Sequence, residues 1–131
     1  GQPGNAFLPM LAPIAGETVV AKNTNSAFIG GDLEQALERL GTSDLVASGV
    51  LTQNSLEATV RHGGNLGYQM VVAADACRAS AKRDLTGRLW SAEEVHQLSL
   101  ANLDGEYARI SDSEAIYESL LRSLARRTKP R

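Results

Sequence analysis

Residues 45–61 read LVASGVLTQNSLEATVR, and no other stretch limits the fold as tightly. Leu45 to Val50 is short and mostly apolar, the pattern of a parallel strand covered on both faces. Leu51 to Asn54 is a sharp polar turn. A helix then opens at Asn54 or Ser55, and Asn54 and Glu57 have capping-box spacing. A buried strand feeding directly into a helix belongs to an open α/β sheet, where sites lie at the carboxyl ends of the strands. Ser55 therefore stands where a nucleophile or an anion-binding hydroxyl would stand, at the positive end of a helix dipole. Serine also suits a helix start for capping reasons alone.

The flanking chain repeats this alternation. Pro3, Pro9 and Pro13 mark an irregular opening, and Thr18 to Lys22 is the first strand candidate. Leu33, Ala36, Leu37 and Leu40 recur at helical spacing, and Gly41 follows as a left-handed C′ residue. Gly63 and Gly64 fall in the last turns of the central helix. Each costs roughly 1 kcal/mol against Ala, which points to close backbone packing. Gly67 closes that helix, and Gln69 to Ala74 is the next strand. Residues 78–90 form a polar loop ending at Trp90. Ser91 and Glu94 form a capping box for a helix to about Leu103. Ala108 to Ile110 is a last strand, and Ser111 and Glu114 cap a terminal helix with Ile116, Leu120 and Leu124 on one face. Alternating helices and strands predict an α/β fold with a parallel sheet.

The 131 residues suit one domain with a single core. The formal charge is −2, unevenly spread: with Arg122, Arg126, Arg127, Lys129 and Arg131 set apart, eight bases face fifteen acids. An acidic body of −7 argues against a nucleic-acid surface, and residues 122–131 read as a solvated basic tail. Cys77 is the single cysteine, so there is no internal disulfide and no cysteine-rich zinc site. It reads as a small buried thiol near a strand end. No signal peptide or membrane span is visible, and a reducing cytoplasm is the expectation. Asp75 is expected to accept from nearby backbone N–H groups. His62 and His96 are expected on helix faces, outside any metal site.

Several motifs together carry a resemblance. They are GQPGNAF at residues 1–7, Lys22 followed by NSAF at 25–28, and GVLTQNSLEAT at 49–59. GNLGY at 64–68, Asp75–Ala76 and the run from Ser91 to Tyr107 complete the set. In this order the chain resembles the isochorismatase-like, or cysteine hydrolase, superfamily over nearly its whole length.

The resemblance implies a three-layer α/β/α fold with a parallel sheet in the order 3-2-1-4-5-6, and hydrolysis by an Asp, a Lys and a nucleophilic Cys. The Lys matches Lys22, and the Cys position falls on Ser55. The implied oxyanion hole uses the N–H groups of Leu51 and Ser55, preceded by a cis peptide joining Val50 to Leu51. Phe28 and Thr52 are expected to contact substrate. The Asp belongs to a first strand upstream of Gly1, so the resemblance implies that the first two strands are absent and the chain incomplete. The implied activity is hydrolysis of a small amide or related C–N bond, with no cofactor and no metal among these residues. The implied partners are a small-molecule substrate and further copies of the chain. Because a serine hydroxyl is far less acidic than a thiol, two other readings stand beside this one. One is an inactive ligand-binding or oligomer-building member. The other is a vinyl-ether hydrolase that works without a nucleophile.

Overall fold

The computed structural model describes residues 6–127. Residues 1–5, which carry most of the GQPGNAF motif, and residues 128–131 of the basic tail lie outside it. Among the described residues, four α-helices and five strands follow one another: α1 Leu33–Leu40, β1 Asp44–Val50, α2 Glu57–Asn65, β2 Gln69–Arg78, β3 Lys82–Arg83, β4 Leu89–Trp90, α3 Ala92–Leu103, β5 Arg109–Ser111 and α4 Ser113–Arg127. A π-helical turn, Thr52–Leu56, joins β1 to α2.

The main sheet has the order β1-β2-β5, and both pairings are parallel. Alternate residues of β2 face opposite layers, as the pleat requires. Met70 and Val72 join Leu56, Val60, Leu100 and Leu103 in one apolar cluster under α2 and α3. On the other face Val71 lines a groove with Ile116 and Leu120 of α4. Helices thus cover both faces of a parallel sheet. Val60, Val72, Cys77 and Leu103 have no exposed surface, so the core sits between β2 and the helix pair.

β1 is more open than its apolar sequence predicts. It pairs with β2 along one edge, and Val46 and Val50 remain 52% and 68% exposed. Thr18 to Lys22, expected as a strand, is irregular and joins no described ladder. β-Propensity makes a strand only where a neighbouring strand completes the hydrogen bonds; here the chain instead crosses toward α1 and α2.

Helix ends follow local chemistry closely. Gly41 ends α1 at φ 62° and donates to the carbonyls of Leu37 and Glu38. The Ser91–Glu94 capping box opens α3 with both reciprocal bonds made. Three expectations need correction. The polar stretch at 78–90 contains a hairpin, β3 with β4, whose turn is held by Asp84 accepting from the N–H groups of Thr86 and Arg88. The cap of α4 is Asp112, which accepts from Ala115 N–H at 2.7 Å. Ser111 is already the last residue of β5, and its strand hydrogen bonding fixes it one residue too early to cap. Residues 122–127, read as tail, continue α4, and Arg122 pairs with Glu118 at 3.2 Å.

Candidate functional site

The site grows from the carboxyl end of β1. The β1–β2 register shifts between Ala47 and Gly49, where residues 73–76 of β2 bulge past Ser48. Gly49 takes φ 137° at this shift, a conformation that strains any residue with a Cβ. The next peptide, Val50–Leu51, is cis, at the position the resemblance implies. The Leu51 carbonyl then accepts from Asn54 N–H at 3.1 Å and from Leu56 N–H at 3.4 Å. The second of these bonds spans five residues and makes the turn π-helical.

This wide turn overturns the Asn54–Glu57 capping box. The helical run starts at Thr52, so Asn54 is already inside it and no side chain caps α2. Glu57 has other partners. One carboxylate oxygen accepts from Arg61 Nη2 at 2.8 Å and Nε at 3.0 Å, and the other accepts from the Ser99 hydroxyl. That arrangement ties α2 to α3, and Arg61 also lies over the Tyr107 ring.

Ser55 is half-buried in the turn, and its hydroxyl donates to Asn25 Oδ1 at 3.2 Å. Lys22 approaches from the irregular segment before α1. Its Nζ donates to the carbonyls of Thr24 at 2.8 Å and Asn25 at 3.1 Å. Asn25 therefore touches both groups that the sequence singles out. Segment 22–28 is fastened to α2 at two further points. Thr59 Oγ1 accepts from Ala27 N–H at 3.1 Å, and Ser26 Oγ lies 3.0 Å from His62 Nδ1.

Lys22 and Ser55 line one cavity of about 420 Å³, with Phe28, Leu37, Val50 and Met70 among its walls. Phe28 is buried and stacks on Tyr68, ring centroids 5.3 Å apart, so it forms a fixed wall. Among the described residues that line the cavity, Lys22 is the one charged side chain. An apolar-walled cavity with one cation and the hydroxyls of Ser48, Ser55 and Thr59 suits a small ligand with a polar or anionic head.

Thr52 does not face this cavity. It has no exposed surface, and its hydroxyl meets His96 Nδ1 at 2.9 Å. The expected substrate contact is thereby replaced by a buried anchor between the turn and α3. His96 is buried as well, and each histidine ring bonds a hydroxyl, His96 that of Thr52 and His62 that of Ser26. Cys77 is fully buried, its thiol directed at the Ala73 carbonyl, and burial pushes its pKa up, which disfavours the reactive thiolate. Asp75 accepts from the Ser113 hydroxyl and from Ser113 N–H at 2.8 Å, and these bonds hold its carboxyl below the ordinary range. Among the described residues no cluster of three His, Cys, Asp or Glu side chains is placed to hold a metal. No described helix is long and apolar enough to cross a membrane.

Sequence reasoning missed Asn25, Thr59 and the Thr52–His96 pair as parts of the site's framework. Asn25 had a local signal, since it lies three residues after Lys22 in the NSAF motif. Thr59 follows Ser55 by one helical turn and accordingly faces the same side. The Thr52–His96 contact spans 44 residues and had no local signal.

Comparison with known proteins agrees with this architecture. A sequence model of the isochorismatase domain matches residues 1–115. The chain is 30% identical over 120 residues to the uncharacterized isochorismatase family protein YrdC of Bacillus subtilis, covering 92% of this chain and 64% of that protein. It is 30% identical over 116 residues to the ureidoacrylate amidohydrolase RutB of Methylobacterium radiotolerans, covering 88% of this chain and 41% of that protein. A crystal structure of an isochorismatase-family protein from Chromobacterium violaceum superposes with a TM-score of 0.89 at 54% identity, over 93% of this chain and 63% of that one. The chain thus spans less than two thirds of the length of each of these relatives. The family match over most of its residues, together with the parallel sheet and the turn that follows β1, shows that the chain belongs to the isochorismatase family.

Proposed function

We propose that the protein is a hydrolase acting on a small amide or related C–N bond, with Ser55 and Lys22 as its reactive pair. The observation that carries this reading is their convergence: both side chains line one cavity and both bond to Asn25. The similarity to an amidohydrolase supports the C–N bond as target. In this reading Ser55 Oγ attacks the substrate carbonyl carbon as its proton passes to a base, and water then hydrolyses the acyl-serine to the acid and frees Ser55; alternatively Ser55 orients a water that attacks directly. The N–H groups of Leu51 and Ser55 hold the oxyanion that forms. The ammonium of Lys22 polarises the carbonyl or delivers a proton to the departing nitrogen. Phe28 packs against the body of the substrate.

The hydrogen bonds limit what Lys22 does. Its Nζ acts as donor to two carbonyl oxygens, and the Ser55 hydroxyl gives its hydrogen to Asn25. A general base must accept the hydrogen of the hydroxyl it deprotonates, and that hydrogen goes to Asn25, so Lys22 is assigned the role of hydrogen-bond donor and local positive charge. No carboxylate is among the described residues that line the cavity, so a base for Ser55 would come from outside them. The same observation favours a second reading, in which the cavity binds a small ligand without covalent chemistry at Ser55.

The assembly is proposed to contain further copies of the chain, supported by exposed Val46 and Val50 on β1 and Leu120 on α4. A reducing cytoplasm is the proposed location, in which the buried Cys77 thiol stays reduced.

The test is hydrolysis of a panel of small amides by the protein as encoded, with Ser55→Ala and Lys22→Ala beside it. Loss of turnover in both variants supports the hydrolase. Turnover that survives Ser55→Ala refutes the nucleophile, and ligand binding without turnover in any form supports the second reading.

A further inference from the structure

Asn25 uses its two oxygens on the two groups of the site. Its main-chain carbonyl accepts from Lys22 Nζ at 3.1 Å, and its side-chain Oδ1 accepts from Ser55 Oγ at 3.2 Å. The backbone around it is fixed largely by α2. Thr59 Oγ1 receives Ala27 N–H and itself lies 3.4 Å from the Asn25 carbonyl, while Ser26 holds both His62 and the N–H of Phe28. Thr59 also donates to the Ser55 carbonyl at 2.8 Å, so one side chain holds both segment 22–28 and the turn.

We infer that Asn25 is the positioning residue of this site: it aims the Ser55 hydroxyl and sets its distance from Lys22. This inference rests on the reading of Ser55 and Lys22 given above. An oxygen that accepts the hydroxyl hydrogen turns the Oγ lone pairs away from Asn25, toward the open cavity. A carboxamide accepts a hydrogen bond without taking the proton, so Asn25 orients Ser55 and leaves it protonated. Because acceptance of a hydrogen bond favours the protonated form of the donor, Asn25 also restrains ionisation at position 55. The residue thus holds the site in an aligned and unreactive ground state until a base or a substrate draws the hydrogen away.

The inference has a readout independent of hydrolysis. Ser55→Cys places a titratable thiol in the same hydrogen bond, and its alkylation by iodoacetamide measures the thiolate fraction against pH. Cys77 is buried and contributes no label while the protein is folded. The pH midpoint of alkylation is compared in Ser55→Cys alone, with Asn25→Ala and with Asn25→Asp, each checked for native melting. Asn25 is exposed, so neither change disturbs the core. The inference expects Asn25→Ala to lower the midpoint, and Asn25→Asp to raise it by about one unit, making alkylation near neutral pH about tenfold slower. Midpoints that coincide in all three proteins would overturn it. This outcome is separate from failure of the hydrolase reading, since alkylation reports on the Asn25 contact whether or not any amide is cleaved. On an amide that the native protein cleaves, Asn25→Ala is further expected to lower kcat with KM little changed. A rise in KM at constant kcat would assign Asn25 to substrate binding and contradict a positioning role.

Discussion

Thr52 Oγ1 lies 2.9 Å from His96 Nδ1, and both side chains are buried. This contact pins the turn after β1 to α3 at a point directly beside Leu51, whose N–H is the proposed oxyanion donor. Replacing Thr52 by Val keeps the shape and removes the hydroxyl, leaving a buried ring nitrogen unpaired. The expected cost is about 1–3 kcal/mol in urea unfolding. A Thr52→Val protein as stable as the native one would show that the contact does not fasten the turn.

Gly63 and Gly64 are neighbours in α2 with different surroundings. A Cβ at Gly64 would lie 2.8 Å from the Tyr107 carbonyl oxygen and 3.2 Å from its Cα, both backbone atoms. A Cβ at Gly63 would meet Met70 Sδ at 2.8 Å and Phe28 Cε2 at 3.0 Å, which are side-chain atoms. Overpacking costs about 1–3 kcal/mol, and Ala recovers roughly 1 kcal/mol of helix propensity. Gly64→Ala is therefore expected to lose more stability than Gly63→Ala in parallel thermal melts. Gly63→Ala is instead expected to weaken ligand binding, because Phe28 and Met70 line the cavity. Equal stability losses would contradict the backbone contact at Gly64.

Asp84 holds the β3–β4 hairpin through Trp90 Nε1–H at 2.8 Å, the Thr86 hydroxyl and two backbone N–H groups. These donors, Trp90 first, lower its pKa from an ordinary 3.8 to about 2. A carboxyl depressed in the folded state contributes stability above its unfolded pKa, and that contribution disappears as pH falls through the folded value. The hairpin is thus expected to be intact above about pH 4 and to loosen between about 4 and 2. Trp90 is the single tryptophan, so its fluorescence reports the change directly. Asp84→Asn should remove this transition, and an unchanged fluorescence profile in that variant would contradict the assignment.

Much of the architecture is legible from short-range chemistry. Gly41 and the Ser91–Glu94 box act within a few residues, and the structure shows both. Errors arose where partners decide. Thr18 to Lys22 has strand propensity and no described strand to pair with, while β3 and β4 have weak propensity and pair through the turn at Asp84. Glu57 has the spacing of a cap, yet Arg61 and Ser99 take its oxygens. At the site, Lys22, Phe28 and Ser55 line one cavity. Thr52 does not, because its orientation depends on His96 across the fold.

The central claim is that position 55 is the reactive position beside Lys22, and amide hydrolysis by Ser55→Cys tests it most directly. A thiolate forms near neutral pH at a helix start beside a cation, whereas an alkoxide needs a stronger base. The account predicts that Ser55→Cys raises turnover of small amides by at least about tenfold over the native protein, and that adding Lys22→Ala removes the gain. A folded Ser55→Cys protein with no gain, or a gain that persists without Lys22, would contradict it.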